Sequence, residues 1–412
     1  MNRAQAKLIG IGMGTMETLT KEALQAVVQS DCLIGARRMV EAVYRAGCRS
    51  KAVYYEYQPE RIREIITAHP EYQKIAVLYS GDIGFYSGAR ELYGALKECC
   101  EVRGIPGISS AAYLAARLKV SWEDAKLLSI HGRRQPYIYI LARHRKTFLL
   151  FGGKGQGEEF VSRIREYGLT GLRIWIGRSL SYEDETIVYR TGADIRPEDL
   201  DGLVVLYIEN PSPLPGDGVS IRDDAFIRGN VPMTKEEVRA VSIAKLGLSG
   251  DFVLYDVGAG TGSIAITAAL HEGARVYAIE KKDEAVELIR QNKRKFCTDQ
   301  VEIVKGTAPG VLKDLEPPTH VFIGGSSGSL EGIVRCIIEK SPGAKIVLNA
   351  ITLETIKEVL LAEEKGLLVD VEIIQAGISR AKKIMDYHML AGQNPIYIVS
   401  AGAGGRRGRE IQ

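Results

Sequence analysis

The chain has 412 residues, of which 45% are hydrophobic and 25% charged, and its formal net charge is +3. This length predicts two or three domains, the mixed charges argue against a nucleic-acid-binding protein, and the lack of an 18-residue apolar run argues against a membrane span. Six cysteines without a CxxC pair, and without histidines at metal-ligand spacing, indicate no metal site and a reduced, cytoplasmic setting.

The first elements predict a mostly parallel sheet. An apolar run over 7–11 reads as a buried strand that ends in alternating glycines, Gly10, Gly12 and Gly14. A helix over 21–30, strands over 32–35 and 74–79, an alanine-rich helix over 111–118 and a strand over 126–130 follow. Because strands and helices alternate with short loops, we expect ligands at the carboxyl ends of the strands.

The next part of the chain predicts a second, mixed α/β lobe. The strands follow one another with hairpin-like spacing, over 147–151, 173–177, 186–189 and 202–208, with one helix over 158–167. We place the two lobes at about 1–142 and 143–210. Three prolines within five residues, at 211, 213 and 215, then predict a linker over 211–231.

Residues 232–402 form a third predicted unit, followed by a flexible tail over 403–412. Thr234 and Glu237 have the spacing of a capping box that opens a helix over 235–246. The predicted strands are 253–257, 275–280, 301–306, 320–324 and 345–349, with helices over 262–271, 283–296, 330–339 and 353–364. Two final strands, 367–375 and 395–400, lack a long intervening helix, which predicts an antiparallel ending.

A glycine-rich turn follows the first strand of this unit. Asp256 precedes Gly258, Gly260 and Gly262, and Glu280 ends the next apolar run, where a ribose would be held. The third glycine comes one residue too early for a dinucleotide fingerprint. A nicotinamide dinucleotide site and a ligand-free turn are the alternatives, but D-x-G-x-G-x-G resembles the class I S-adenosylmethionine-dependent methyltransferases.

That resemblance implies a Rossmann-like fold and a set of cofactor contacts. Glu280 would accept both ribose hydroxyls, and Thr307 and Ala308 would lie beside the adenine. The implied cofactor-binding residues are Thr234, Asp256, Gly258, Ala259, Gly260, Thr261, Gly262, Glu280, Thr307 and Ala308. A side chain at Gly260 is expected to fill the path of the cofactor.

Further segments make the resemblance more specific. The stretches 232–239, 256–263, 277–280, 322–325 and 349–355 stand in the order typical of the decarboxylating C15-methyltransferases of cobalamin synthesis. The likeness covers nearly all of residues 225–402. It implies that Thr234, besides its role as a helix cap, contacts a ligand. Candidate substrate contacts are Gly324, Gly325, Ser326, Ser327 and Asn349.

Residues 7–208 resemble a different family, the tetrapyrrole methylases. The motifs are Gly10–Gly14, Ser80–Gly84, Pro106–Ser110 and Ser129–Arg133. Ile83 stands where the family usually has proline. The family implies S-adenosylmethionine in a cleft between two lobes, which we assign to Ser80, Gly81, Asp82, Ser109 and Ser110, with Gly10, Gly12 and Gly14 facing the tetrapyrrole.

Both units together resemble the fused C5,15-methyltransferases of cobalamin synthesis. This implies two S-adenosylmethionine sites per chain, methylation at C5 by the first unit, and methylation at C15 with loss of the C12 acetate carboxyl by the second. The substrate would be a precorrin or a cobalt-precorrin, and we expect a homo-oligomer. The rival interpretations are an RNA or protein methyltransferase and a scaffold with one inactive unit.

The candidate catalytic residues are few, because a methyl sulfonium and an electron-rich meso carbon need alignment and not a strong base. They are His131, which is equally well explained as a structural residue, Arg133 and Asn349. Arg134 and Lys154 are further candidates for binding the substrate's carboxylates.

Overall fold

The structure is a computed structural model that describes residues 4–45, 47–48, 52–130, 135–152, 155–216 and 221–404. The chain divides into two compact units. The first comprises Met1–Gln135, His144–Arg165 and Leu169–Pro213, and the second comprises Pro136–Arg143, Glu166–Gly168 and Leu214–Gln412. Two short segments therefore group with the second unit although they precede the proline-rich stretch, and the predicted domain limits stay predictions.

The first unit begins with a parallel five-stranded sheet. Its strands are β1 (Gln5–Gly10), β2 (Cys32–Ile34), β3 (Ala52–Tyr54), β4 (Lys74–Tyr79) and β5 (Glu101–Ile105), in the order β3-β2-β4-β1-β5. Its helices are α1 (Lys21–Val28), α2 (Arg37–Arg45), α3 (Pro59–Ala68), α4 (Ala89–Leu96) and α5 (Ser110–Leu118). Since β1 pairs in parallel with both β4 and β5, the loops after these three strands meet at one edge.

A second, mixed sheet completes this unit, as the hairpin-like spacing predicts. Its strands are β6 (Lys126–Ser129), β7 (Lys146–Phe151), β8 (Arg173–Arg178), β9 (Thr186–Thr191) and β10 (Val204–Glu209), in the order β6-β7-β10-β8-β9. Helix α7 (Gln156–Glu166) lies between β7 and β8 in the chain, whereas α6 (Ile138–Arg143), which follows β6, groups with the second unit. β6 pairs in parallel with β7. The strand over 126–130, which the sequence-based limits place in the first lobe, therefore belongs to the second sheet.

The second unit has a seven-stranded sheet with one antiparallel strand near its edge. The strands are β11 (Phe252–Val257), β12 (Ala274–Glu280), β13 (Val301–Lys305), β14 (His320–Ile323), β15 (Lys345–Ala350), β16 (Leu368–Ala376) and, last in the chain, 396–403. The helices are α8 (Glu236–Leu246), α9 (Ser263–Ala268), α10 (Asp283–Lys295), α11 (Leu330–Lys340) and α12 (Leu353–Glu364). All six residues of β11 are buried, as expected of the central strand of a parallel sheet.

Two strands form a hairpin between β16 and the end of the chain, which the sequence did not predict. They are β17 (Ser379–Ile384) and β18 (Tyr387–Gly392), and β19 (Ile396–Ala403) follows them. The sheet order is β13-β12-β11-β14-β15-β19-β16, and β19 is antiparallel to both neighbours. The predicted antiparallel ending is therefore present. No described helix is both long enough and apolar enough to span a bilayer.

The predicted capping box at Thr234 is wrong. Helix α8 begins one residue later than expected, so Lys235 is its N-cap and no side chain caps it. Glu237 is instead paired with Arg380 at 2.6 Å, and the backbone N–H of Asp223 donates to Glu236 at 2.9 Å. Of the two side chains that would have closed the box, that of Glu237 is thus engaged in a tertiary contact.

Candidate functional site

The second unit has a backbone crevice where the strand order reverses. β11 lies between β12 and β14, so the turn after β11 and the loop after β14 leave the sheet side by side. Gly258 has φ +76°, and a Cβ placed on it would lie 3.0 Å from the backbone N and O of Gly325. Only glycine permits so close an approach in this conformation.

The other two glycines of the turn have structural partners. A Cβ on Gly260 would lie 2.7 Å from the carbonyl oxygen of Pro232. This position therefore faces the protein, whereas the sequence led us to expect that it faces an open path for the cofactor. A Cβ on Gly262 would lie 3.2 Å from the side chain of Ile289 in α10. Gly262 therefore provides the close helix packing that a third glycine supplies in nucleotide-binding turns.

Glu280 lies at the carboxyl end of β12, beside the glycine turn. Its Oε2 accepts a hydrogen bond from the backbone N–H of Gly260 at 3.0 Å, and its Oε1 accepts from Lys281 and Lys282 at 2.8 and 3.1 Å. The residue is 9% exposed. The carboxylate is thus fixed in direction, with acceptor oxygens next to the crevice.

Asp256 is buried beneath the same turn. Its Oδ2 accepts from the backbone N–H of Ala265 in α9 at 2.9 Å, whereas its Oδ1 is buried and accepts from no described residue. Burial raises the pKa of this carboxyl group to about 7, and the nearby charge of Glu280 adds to the shift. The hydroxyl of Thr261 is likewise buried without a partner among the described residues.

Asn349 comes close to the loop after β14. Because Ile323 pairs with Leu348, Asn349 lies beside Gly324 in the register of the sheet. Its Oδ1 accepts from the hydroxyl of Ser242 in α8 at 3.1 Å, and its Nδ2 is buried with no acceptor in the described structure. The amide is therefore held by one end only.

The remaining predicted residues of this unit surround the crevice at different depths. Ala308 is buried and Thr307 is exposed. The preceding residue, Gly306, donates its backbone N–H to the carbonyl oxygen of Glu280 at 2.9 Å. Gly324 and Gly325 are exposed and Ser326 is half-buried. Thr234 is half-buried, and its carbonyl accepts from the guanidinium of Arg239 at 2.9 Å.

Sequence reasoning missed the residues that fix the segment covering the turn. Arg239 is 2% exposed, pairs with Asp223 at 3.2 Å and lies over the ring of Phe226. A single arginine and a distant aspartate carry no sequence signal for this contact. Lys281 was also missed, although it directly follows Glu280; its Nζ donates to the hydroxyl of Ser327 at 3.0 Å.

In the first unit three glycines from separate loops pack backbone to backbone. A Cβ on Gly107 would lie 2.2 Å from the carbonyl oxygen of Gly81 and 2.6 Å from the carbonyl carbon of Gly10. Gly12 and Gly81 also exchange backbone hydrogen bonds of 3.1 and 2.6 Å. The predicted residues after β1, β4 and β5 are thus brought together, and Gly10 and Gly12 serve this packing.

Asp82 ties two of these loops together. Its Oδ1 accepts from the N–H of Gly84 at 2.8 Å, and its Oδ2 accepts from the N–H of Gly107 at 3.0 Å. Ser109 is the N-cap of α5, where its hydroxyl accepts from Ala112 at 3.1 Å, and Ser110 is the first helical residue. The side chains of Asp82 and Ser109 therefore hold the backbone of these loops.

Other predicted residues of the first unit have separate surroundings. The hydroxyl of Ser80 accepts from Arg38 at 3.4 Å. Gly14 has φ +95°, and a Cβ placed on it would lie 2.9 Å from the hydroxyl oxygen of Tyr182 in the second lobe. Four residues named from the sequence lie outside the described residues, namely His131, Arg133, Arg134 and Lys154.

Comparison with known proteins gives both halves a relative. The family profile of the tetrapyrrole (corrin/porphyrin) methylases matches residues 7–195, and that of the precorrin methyltransferase domain matches residues 224–401. The protein named "Probable cobalt-precorrin-6B C(15)-methyltransferase (decarboxylating)" from Pyrobaculum calidifontis is 40% identical over 188 residues, covering 44% of this chain and 95% of that protein.

Two further relatives extend the comparison. The precorrin-6Y C(5,15)-methyltransferase (decarboxylating) of Sinorhizobium sp. is 28% identical over 385 residues, which are 90% of this chain and 91% of that protein. A crystal structure of a precorrin-6Y C5,15-methyltransferase from Geobacter metallireducens is 36% identical, with 46% of this chain and all of that chain covered and a TM-score of 0.43.

The fold and the glycine-lined crevice define an α/β methyltransferase. A relative at 40% identity is covered over 95% of its length. The chain belongs to the decarboxylating precorrin methyltransferase family, with a tetrapyrrole methylase region preceding the precorrin methyltransferase domain.

Proposed function

We propose that this chain transfers two methyl groups from S-adenosylmethionine to a reduced tetrapyrrole of cobalamin synthesis. The first unit would methylate C5, and the second would methylate C15 and release the C12 acetate carboxyl as carbon dioxide. The observation that carries the proposal is the crevice between Gly258 and Gly325, flanked by the carboxylate of Glu280, in a chain that also matches the tetrapyrrole methylases over 7–195.

The residues of the second unit fit S-adenosylmethionine. Glu280 offers acceptor oxygens suited to ribose hydroxyls, and the buried Oδ1 of Asp256 needs a donor that the described protein does not provide. A Cβ placed on Gly325 would have no described atom within 4 Å, so there is room for a ligand against the main chain at this residue. When bound, the cofactor supplies a methyl group activated by its sulfonium charge.

In the first unit the cofactor would lie at the edge where the loops after β1, β4 and β5 meet. We assign it to Ser80, Gly81, Asp82, Ser109 and Ser110. The backbone packing of Gly10, Gly81 and Gly107 supports this assignment, because it holds those loops at fixed spacing. Binding at this edge gives the chain two cofactor sites.

The protein's contribution to the chemistry is positioning. A conjugated meso carbon is already nucleophilic, so the main task of the protein is to align this carbon with the methyl group. In the second unit Asn349, Gly324 and Ser326 would orient the substrate, and the buried Nδ2 of Asn349 is a donor available to a carboxylate. Loss of carbon dioxide places the electrons of the broken C–C bond in the ring system, and removal of the carboxylate from water favours it.

The cobalt-containing substrate is the second candidate. The stand-alone relatives that match the second unit are named for a cobalt-precorrin, whereas the relative that matches the whole chain is named for precorrin-6Y. We retain both substrates. A cytoplasmic enzyme acting as a homo-oligomer remains our expectation for its setting.

Calorimetric titration with S-adenosylmethionine tests the proposal. We expect two binding events per chain, and carbon dioxide release when metal-free or cobalt-loaded precorrin is added. Mass spectrometry of the product should show two added methyl groups and the loss of one carboxyl. A stoichiometry of one would remove the assignment for one unit, and retention of the carboxyl would contradict the decarboxylation.

A further inference from the structure

The β17–β18 hairpin projects from the edge of the sheet that bears the crevice. Ala350, at the carboxyl end of β15, pairs with Tyr397 at the start of β19, and Ala376, at the end of β16, pairs with Ile396. The chain between Ala376 and Ile396 therefore leaves the sheet where β11, β14 and β15 also end. The hairpin therefore leaves the sheet at the same edge as the loops that carry Gly258 and Gly324, and its base is next to the end of β15, which carries Asn349.

The two faces of the hairpin are distinct. Directly paired residues share a face, and side chains alternate along each strand. The pairs Arg380–Ala391, Lys382–Met389 and Ile384–Tyr387 therefore form one face, which we call the inner face. The pairs Ser379–Gly392, Ala381–Leu390 and Lys383–His388 form the opposite, outer face.

Arg380 shows which face is directed towards the crevice. Its guanidinium pairs with Glu236 at 3.2 Å and with Glu237 at 2.6 Å, in the first turn of α8. The segment leading into α8 includes Pro232, whose carbonyl oxygen is the atom closest to the Cβ direction of Gly260. The inner face is thus turned towards the segment that covers the glycine turn.

The inner face combines large apolar groups with a cation. Ile384, Tyr387 and Met389 are 50%, 76% and 58% exposed, which is unusual for apolar side chains grouped on one small hairpin. Lys382 is exposed between them, directly opposite Met389. This composition complements a flat conjugated ring with carboxylates at its rim, since the apolar groups can cover the ring and the ammonium can pair with a carboxylate.

We infer that the inner face of the β17–β18 hairpin is the wall against which the second unit binds its tetrapyrrole substrate. The inference rests on the proposed function and names the surface that recognises the substrate. Met389, Ile384 and Tyr387 contact the face of the macrocycle, and Lys382 pairs with a peripheral carboxylate. Arg380 positions the hairpin through its two ion pairs with α8.

Adjacent lysines on opposite faces provide a matched test in the full-length chain. Lys382→Glu on the inner face should raise the tetrapyrrole concentration that half-saturates carbon dioxide release by about tenfold or more. Lys383→Glu makes the same charge change on the outer face and should change it less than about twofold. In the apolar pair, Met389→Ser should weaken binding and Leu390→Ser should not. Calorimetric affinity for S-adenosylmethionine should be unchanged in all four variants.

A local measurement separates this surface from the first unit, which would also bind tetrapyrrole. Uroporphyrin III, a planar octacarboxylate, serves as a stable probe, and we expect it to slow amide hydrogen exchange across 379–392 in the parent chain. Lys382→Glu should abolish that protection and Lys383→Glu should retain it. Equal losses from both lysine changes would overturn the inference, because they would indicate attraction by overall charge.

Two further outcomes are decisive. If Met389→Ser or Leu390→Ser lowers the particle mass in sedimentation, the hairpin joins copies of this chain and the inference is wrong. If the parent chain binds S-adenosylmethionine and releases carbon dioxide while the hairpin gains no protection, the inference fails and the proposed function stands. If it neither binds S-adenosylmethionine nor releases carbon dioxide, the proposed function fails, and the inference fails with it.

Discussion

Asp256 illustrates how a residue can serve a site while opposing the stability of the fold. Its carboxyl group is fully buried below the glycine turn, and only one of its oxygens receives a hydrogen bond from a described residue. A buried charge with incomplete hydrogen bonding is costly, which is why its pKa rises to about 7. Near neutral pH this residue is therefore poised between its charged and neutral forms.

This shift gives a pH prediction for Asp256→Asn. Because the folded pKa lies above the unfolded value of about 3.9, the native protein binds more protons, and stability falls as pH rises between about 4 and 7. The amide has no such proton to lose. The difference in the free energy of unfolding, variant minus parent, should therefore increase by up to about 1.4 kcal/mol per pH unit in this range. Above this range the difference should stay constant. Denaturant unfolding followed by circular dichroism measures the difference.

The control for that measurement is Asp251→Asn. Asp251 is exposed and immediately precedes β11, so its replacement also removes one negative charge near the same strand. A stability difference from the parent that is independent of pH for Asp256→Asn would contradict the buried, unpaired state of its carboxyl group.

At the scale of single elements, backbone conformation makes two glycines informative. Gly94 lies within α4, and Gly247 is the C-cap of α8 with φ +64°. A Cβ on either residue would meet no atom of the described structure within 4 Å. Any difference between alanine substitutions at these two positions therefore reports backbone conformation and not steric overlap.

We expect Gly94→Ala to stabilise the first unit and Gly247→Ala to destabilise the second. Alanine in a helix interior is favoured over glycine by about 1 kcal/mol, whereas a side chain in the left-handed region costs about 1–2 kcal/mol. Both tryptophans, Trp122 and Trp175, belong to the first unit, so fluorescence follows the unfolding of that unit. Circular dichroism follows the unfolding of the whole chain and therefore includes the second unit. Destabilisation by Gly94→Ala, or stabilisation by Gly247→Ala, would refute this explanation.

Apolar runs predicted the strands better than charge patterns predicted the helices. The strands 74–79 and 253–257 were found because their side chains are almost all apolar, and the structure buries them. Helices α2, α3 and α4 were not predicted. Each is short, and α2 buries only Val40, Ala42 and Val43 among charged neighbours. Their place is decided by the sheet against which they pack.

At the scale of the whole molecule, each unit has its own glycine junction. Gly107 meets the backbone of Gly81 and Gly10 in the first unit, and Gly258 meets that of Gly325 in the second. Both contacts are too close for a Cβ without movement of the loops. Damage to one junction should therefore affect one reaction.

Paired alanine substitutions test this separation. Gly107→Ala should lower methylation at C5 by about a hundredfold and leave carbon dioxide release intact, because a displacement of about 1 Å at a reacting centre has that effect. Gly258→Ala should lower carbon dioxide release and leave methylation at C5 intact. Mass spectrometry of the products distinguishes the two modifications.

Gly171→Ala and Gly377→Ala are the controls, one in each unit. A Cβ at either position would find no described atom within 4 Å, and both should leave activity unchanged. Loss of both reactions from a single junction variant would mean that the two units do not act independently.

The sequence by itself determined the fold class, the family and the strands that bear the glycine turns. These depend on local patterns, namely apolar runs, glycine spacing and an acidic residue at the end of a strand. Only the tertiary structure decided that Gly260 faces Pro232, that Asp82 holds Gly107, that Arg380 binds Glu237 and that β6 joins the second sheet. Each of these contacts joins residues far apart in the chain, and their partners are set by the packing of the whole chain, which local residue patterns do not reveal.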